Sequence, residues 1–275
     1  MKKLLNGRLA AILPLQGQVR RAILMIKYLS VEKSPPFIAG FFKMLIVVLI
    51  VASSFSLYAD RRSYVWTYEY LTMHRGGAEI EYYLTLELPD KDKGNVNNWK
   101  HWMELEYGIT DHWDISIYQQ FTHKNSEHSS SFYYDGFKIR TRIRIGERDQ
   151  FPLDPLIYLE YKNNGNLSEP GEFEGKLILA KTIGNLNFSY NQILERELVK
   201  GVDAKHEYAT GLSYEFNPRI KLGIESKGNF TDKRYYLGPT ISFATSKFWI
   251  SLGVASGLNK ESRDIDFRLL LGIPL

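Results

Sequence analysis

The stretch GFKIRTRIRIGE, residues 136–147, places Lys138, Arg140, Arg142 and Arg144 at every second position, with Phe137, Ile139, Thr141, Ile143 and Ile145 between them. Side chains alternate faces along a β-strand and recur every 3.6 residues on a helix, so a period of two specifies a strand with one basic and one apolar face. In a soluble sheet the apolar face meets a packed core and the charged face meets water. In a membrane barrel the apolar face meets lipid and the charged face lines the lumen. The rest of the chain decides between the two.

The same alternation recurs down the sequence. AEIEYYLTLEL sets Ile80, Tyr82, Leu84 and Leu86 opposite Glu79, Glu81, Thr85 and Glu87. Met103, Leu105 and Tyr107 oppose Glu104 and Glu106. Ile220, Leu222 and Ile224 oppose Arg219, Lys221, Glu225 and Lys227. The last segment sets Ile265, Phe267, Leu269, Leu271, Ile273 and Leu275 opposite Asp264, Asp266 and Arg268. The apolar stripes carry almost no charge, as a lipid-facing surface requires, because a cation there costs about 2–4 kcal/mol at the bilayer midplane.

Twelve strands are predicted, near 77–88, 99–109, 112–122, 131–146, 155–163, 171–182, 185–195, 204–215, 218–229, 234–244, 247–256 and 263–275. No long segment has a 3.6-residue period. The connectors alternate between tight turns (GITDH, TIGNL, EFNPR, ATSKF, with ERDQFPLDP somewhat longer) and roomy polar ones (PDKDKGNVNN, THKNSEHSSS, NNGNLSEPGE, ERELVKGVDAK, SKGNFTDK, SGLNKESR). Short turns at one end and long loops at the other are the pattern of outer-membrane barrels, as are strands of roughly 10 residues and an even strand count. The expected fold is therefore all-β: a single antiparallel transmembrane barrel. An exported soluble sandwich or lipocalin-like barrel is the alternative.

The segment SYVWTYEYLT is surplus to twelve strands, and the sequence leaves open whether residues 60–75 form a periplasmic latch or a thirteenth strand. Before it, Lys43 precedes MLIVVLIVASSFSLYAD, which reads as a signal peptide with its hydrophobic region at 44–57 and a cut after Ala59. Residues 1–59 are thus read as a leader and 60–275 as the barrel. The formal charge of +4 follows from this division. The leader carries +7 and the remainder −3, which removes the basis for a nucleic-acid-binding reading. With no cysteine there is no thiol chemistry.

At MELEYGITDHWDISIY (103–118) and DIDFRLLLGIPL (264–275) the chain resembles bacterial outer-membrane β-barrel proteins. More narrowly, EYGITDHWDISIY is similar to the Tyr-Gly-(Ile/Leu)-Thr-Asp hairpin of porin-like barrels such as the phenol-degradation meta-pathway-like group. The resemblance implies location in the outer membrane, contact with its lipid and lipopolysaccharide, and recognition of the terminal strand by the barrel-assembly machinery. The chain departs from the usual assembly signal in ending on Leu275, with Pro274 beside it, where an aromatic is expected.

The candidate site is the lumen. Its expected lining is acidic at Glu79, Glu81, Glu104, Glu106, Asp264 and Asp266. It is basic along the ladder Lys138, Arg140, Arg142 and Arg144. Signs are mixed at Glu160, Lys162, Glu172, Glu174, Arg219, Lys221, Glu225 and Arg268. Twelve strands suggest a narrow or occluded lumen, between the filled eight-strand and open sixteen-strand barrels. The ladder would either attract anions or brace the interior by pairing with acids. The expected function is a narrow channel for passive or selective transport of small polar solutes. A structural or surface-binding barrel is the alternative, followed by an outer-membrane acyl-hydrolase. For the last, only His128-Ser129-Ser130 and His206-Glu207 offer themselves, without a matching His-x-Ser…Asn arrangement. His123 and His128 lack a third metal ligand, so no metal or cofactor is expected.

Overall fold

A computed structural model describes residues 62–275; the expected signal peptide and its expected cleavage point lie outside the described residues. The strands are β1 (Ala78–Leu88), β2 (Asn97–Thr110), β3 (Trp113–Ser126), β4 (Ser129–Arg144), β5 (Asp154–Asn163) and β6 (Glu172–Ile183). They continue with β7 (Leu186–Glu197), β8 (Lys205–Asn217), β9 (Ile220–Asn229), β10 (Arg234–Ala244), β11 (Trp249–Gly257) and β12 (Ile265–Pro274). Each pairs antiparallel with its sequence neighbours, and β1 pairs with β12 in the register Tyr82↔Leu271, closing the barrel. Closure removes every open sheet edge, which a bilayer does not tolerate.

Burial along the strands is inverted relative to a soluble protein. Arg140 is 1% exposed, while its neighbour Ile139 is 51% exposed; Glu160 is 4% exposed against 38% for Leu159. The even-and-odd alternation seen in the sequence thus places charge inside and aliphatic side chains outside, which is stable only where the outer solvent is hydrocarbon. Trp113 and Phe243 also stand on the outer wall.

Two connectors expected to be roomy loops are largely or half taken up by strand. THKNSEHSSS becomes the end of β3 and the start of β4, joined by Glu127 and His128 alone. Cross-strand contacts hold this extension together: the Phe121 and Phe132 rings stack at 5.9 Å, and Ser130 Oγ donates to Asn125 Oδ1 at 2.8 Å. In SKGNFTDK only residues 230–233 lie outside strands.

The surplus segment adds no thirteenth strand and is no latch outside the barrel. Residues 62–73 curl through the lumen, with Tyr64, Val65, Trp66, Tyr68, Tyr70 and Met73 all buried. Ser63 donates through both its N–H and its Oγ to the Glu69 carboxylate, 2.7 Å each, which closes the curl on itself. An even-stranded barrel has no free edge for an extra strand. A polar lumen large enough to need filling accepts the aromatic segment instead.

Candidate functional site: a plugged lumen

The wall holds the segment mainly by its main chain. Glu225 on β9 accepts the N–H groups of Val65, Trp66 and Thr67 at 3.0, 3.0 and 2.8 Å. Asn191 on β7 pairs with Tyr68 as a neighbouring strand would, taking its N–H at 2.7 Å and donating to its carbonyl at 2.9 Å. Ser251 and Thr240 donate to the carbonyls of Arg62 and Ser63, and Asp114 accepts the N–H of Met73 at 3.0 Å. These bonds satisfy backbone groups that a buried, irregular segment would otherwise leave unpaired.

The wall is also notched for particular side chains. Gly211 on β8 and Gly253 on β11 face inward where a Cβ would collide with the Tyr64 ring and with Val65 respectively. Their lack of a side chain is a steric requirement of the seat rather than of the strand. The Tyr64 hydroxyl reaches Asn187, and its burial, with Glu69 nearby, pushes the phenol's pKa up. Burial disfavours the charge of Arg62, but Tyr83, Tyr68 and Glu81 around it outweigh that, and the guanidinium's pKa is raised.

The ladder that opens the sequence is paired within its own neighbourhood. Arg140 reaches Glu104 at 2.8 Å and Glu106 at 2.7 Å; Arg142 contacts Glu106 and bonds Asp114 at 2.7 Å. Lys138 meets Glu160 at 2.6 Å. Arg144 donates to the carbonyl of Asp111 and lies over the Tyr70 ring. The expected acidic and basic linings therefore neutralise each other locally, because the acids of β3 and β2 lie one and two strands from β4. The bracing role of the ladder is the one its geometry supports.

Most of the other expected lining residues also face inward. Glu79 accepts from Trp249 Nε1 at 2.8 Å, Asp266 pairs with Lys227 and Arg263, and Arg268 donates to Thr85 and to the Val65 carbonyl. Glu172 and Glu174 bind Lys162 and Lys176, and Lys221 donates to Ser63. Two positions differ from expectation. Arg219 lies in the turn after β8, exposed at the inner mouth. Asp264 precedes β12 and accepts the N–H of Lys91, so it ties an outer loop. Reading faces by charge alone passed over inward aromatics, notably Tyr83, Tyr118 and Tyr158. Their parity, shared with Glu81, Asp114 and Glu160, was the available signal.

Two cavities flank the segment. The outer one, of about 420 Å³, is floored by Arg62, Trp66 and Tyr68 beneath a rim of paired lysines and glutamates. The inner one, of about 810 Å³, begins at Glu69, Tyr70 and Leu71 and opens among the short turns. No residue lines both.

Two clusters bear on the rival chemistries. Glu81, Glu104 and Glu106 bring carboxylate oxygens within 4.8 Å of one another, but the Arg140 guanidinium bonds two of the three. On the outer wall His123 Nε2 lies 2.8 Å from Ser130 Oγ. Ser130 Oγ also lies 2.8 Å from Asn125 Oδ1, so the serine hydroxyl is shared between two neighbours.

No family model matches the sequence, and no curated protein does. Solved structures do resemble the fold. An outer membrane channel from Pseudomonas putida F1 superposes with a TM-score of 0.53 at 10% identity, covering 77% of this chain and all of that one. The KdgM porin gives 0.50 at 11% identity, over 71% and 98% of the two chains. The likeness is one of fold: a closed antiparallel barrel, here with an aliphatic outer wall.

Proposed function

We propose that the barrel is a narrow channel for small polar solutes, closed at rest by its own residues 62–73. The observation that carries this reading is the pair of cavities, one at each end, with no shared lining residue and the curled segment between them. The wall around the segment is polar and rigid, being knit by the strand ladder. The segment is held by side-chain bonds to its backbone, which break without disturbing that ladder. Withdrawing it removes five aromatic or aliphatic side chains between Tyr64 and Tyr70 from the lumen and joins the two cavities. That the Pseudomonas putida protein is itself described as a channel supports the reading. The hydrolase reading has the His123–Ser130 contact on the outer wall but no neighbouring pocket to hold a substrate among the two cavities described, both of which lie inside the barrel.

Liposome swelling tests this directly. Vesicles carrying Glu225→Gln protein should swell in small sugars and amino acids faster than vesicles carrying the wild type. Equal and negligible swelling for both, with the barrel folded, would refute a transport role.

A further inference from the structure

We propose that the outer cavity ends in a binding site for organic cations, now occupied by the guanidinium of Arg62, and that the opened lumen selects solutes bearing a guanidinium or ammonium group. This deepens the channel reading above and rests on it for the transport step, though not for the binding step.

Glu81 and Glu104 are direct cross-strand partners on β1 and β2, both buried. Like charges in that position repel, and more so where water is scarce. The Tyr83 hydroxyl lies 2.6 Å from Glu81 and 2.7 Å from Glu104 and bridges them. Arg140 reaches Glu104 but makes no bond to Glu81 among those resolved. The remaining positive charge is brought by Arg62, which donates to the Tyr83 oxygen at 3.2 Å. Its guanidinium lies over the Tyr68 ring at 4.3 Å and near the Tyr83 ring at 5.9 Å. A planar cation is thus held between aromatic faces above a pair of carboxylates, the chemistry by which such groups are recognised in general.

Arg62 belongs to the curled segment and not to the wall, and it lines the outer cavity. When the segment withdraws, the cation leaves with it. Around the vacated place Glu81, Glu104, Glu106 and Asp114 remain with Arg140 and Arg142, while Lys176 over the Tyr68 ring and Arg268 at the Trp66 ring stay nearby; the position beside the Tyr83 hydroxyl that bridges Glu81 and Glu104 is already shaped for a guanidinium. Glu225 is uncovered at the same moment, because its three N–H donors also belong to the segment. Desolvating a carboxylate without a partner is costly, so entering cations are favoured over anions and over neutral solutes.

The test is chemical rescue of Arg62→Ala in detergent, with ethylguanidinium chloride at low millimolar concentration as the probe, far below denaturing levels. The unfolding midpoint of the variant should rise with ethylguanidinium and saturate. Sodium chloride at equal ionic strength and urea, the neutral isostere, should leave it unchanged, and the wild type should not respond. Equal responses to ethylguanidinium and sodium chloride, or equal responses of variant and wild type, would overturn the proposal. Should Arg62→Ala fail to fold, Arg62→Gln carries the same test, and external ethylguanidinium should reduce the sodium current of the Gly211→Ala protein in a dose-dependent way. Absence of rescue in Arg62→Gln and of block in Gly211→Ala would also overturn it. Rescue without any current in any variant would refute the channel and leave the cation site standing. Current without rescue or block would do the reverse.

Discussion

The ring of Tyr64 lies against the bare Cα of Gly211, so closely that no Cβ fits between them. The contact joins a residue of the lumenal segment to the middle of strand β8, 147 positions later in the chain. A β-strand interior is a poor place for glycine, which weakens the strand and offers nothing to pack. Here the missing side chain is what admits the segment.

Gly211→Ala should therefore leave the barrel intact and loosen its contents. The expected outcome is a protein that still migrates as a folded barrel on unboiled gels but shows longer open dwell times in planar bilayers. Gly253→Ala, which crowds Val65, should act in the same direction. Unchanged dwell times in both would mean that the seat tolerates a methyl group and that the glycines serve the strands.

Glu225→Gln should release the segment more fully. Hydrogen bonds to a charged acceptor are worth about 1.5–3 kcal/mol each, and Glu225 accepts three from consecutive residues. The amide keeps the shape but loses the charge. Proteolysis at Arg75, which is exposed just outside the lumen, should accelerate in this variant. Glu207→Gln, higher in the outer cavity, is the control expected to have no such effect.

Arg140→Met should destabilise the barrel rather than alter ion selectivity. Arg140 contacts Glu104 and Glu106 in a fully buried cluster, and removing one partner from such a cluster costs about 3–5 kcal/mol. The midpoint of urea unfolding in vesicles should fall, with the reversal potential of any residual current unchanged. A clear shift in reversal potential at unchanged stability would restore the ladder as a selectivity element.

The strands were legible in the sequence because a period of two is a local property, and each strand displays it without reference to its partners. Which face meets lipid followed from charge, since Ile117, Ile139 and Leu159 alternate with Ser116, Arg140 and Glu160. The fate of residues 62–73 was not legible. Tyr64, Val65, Trp66 and Tyr68 carry strand-like composition, and only the three-dimensional placement of Glu225, Asn191, Gly211 and Gly253, far away in sequence, explains their seat. The pairing of Arg140 and Arg142 was half visible. Charge counting supplied acids for them, but register decided that Glu104, Glu106 and Asp114 would be those acids.

The lipid-facing assignment has its own consequence. Ile139→Lys on the outer wall should impair insertion into vesicles by about 2–4 kcal/mol if the position is near the midplane. Ser130→Lys, near the tip of the β3–β4 extension, should have little effect. Equal insertion of both variants would argue that the aliphatic wall does not face lipid.

The central claim is that residues 62–73 close the lumen, and the absence of native cysteine permits a clean measurement of it. Val65→Cys with Gly253→Cys places two thiols where Val65 now touches the bare wall, within reach of a disulfide. Single-channel recording of this double variant in planar bilayers should show silence when oxidised and discrete openings once reductant is added. The same current before and after reduction, whether open or silent, would contradict the account.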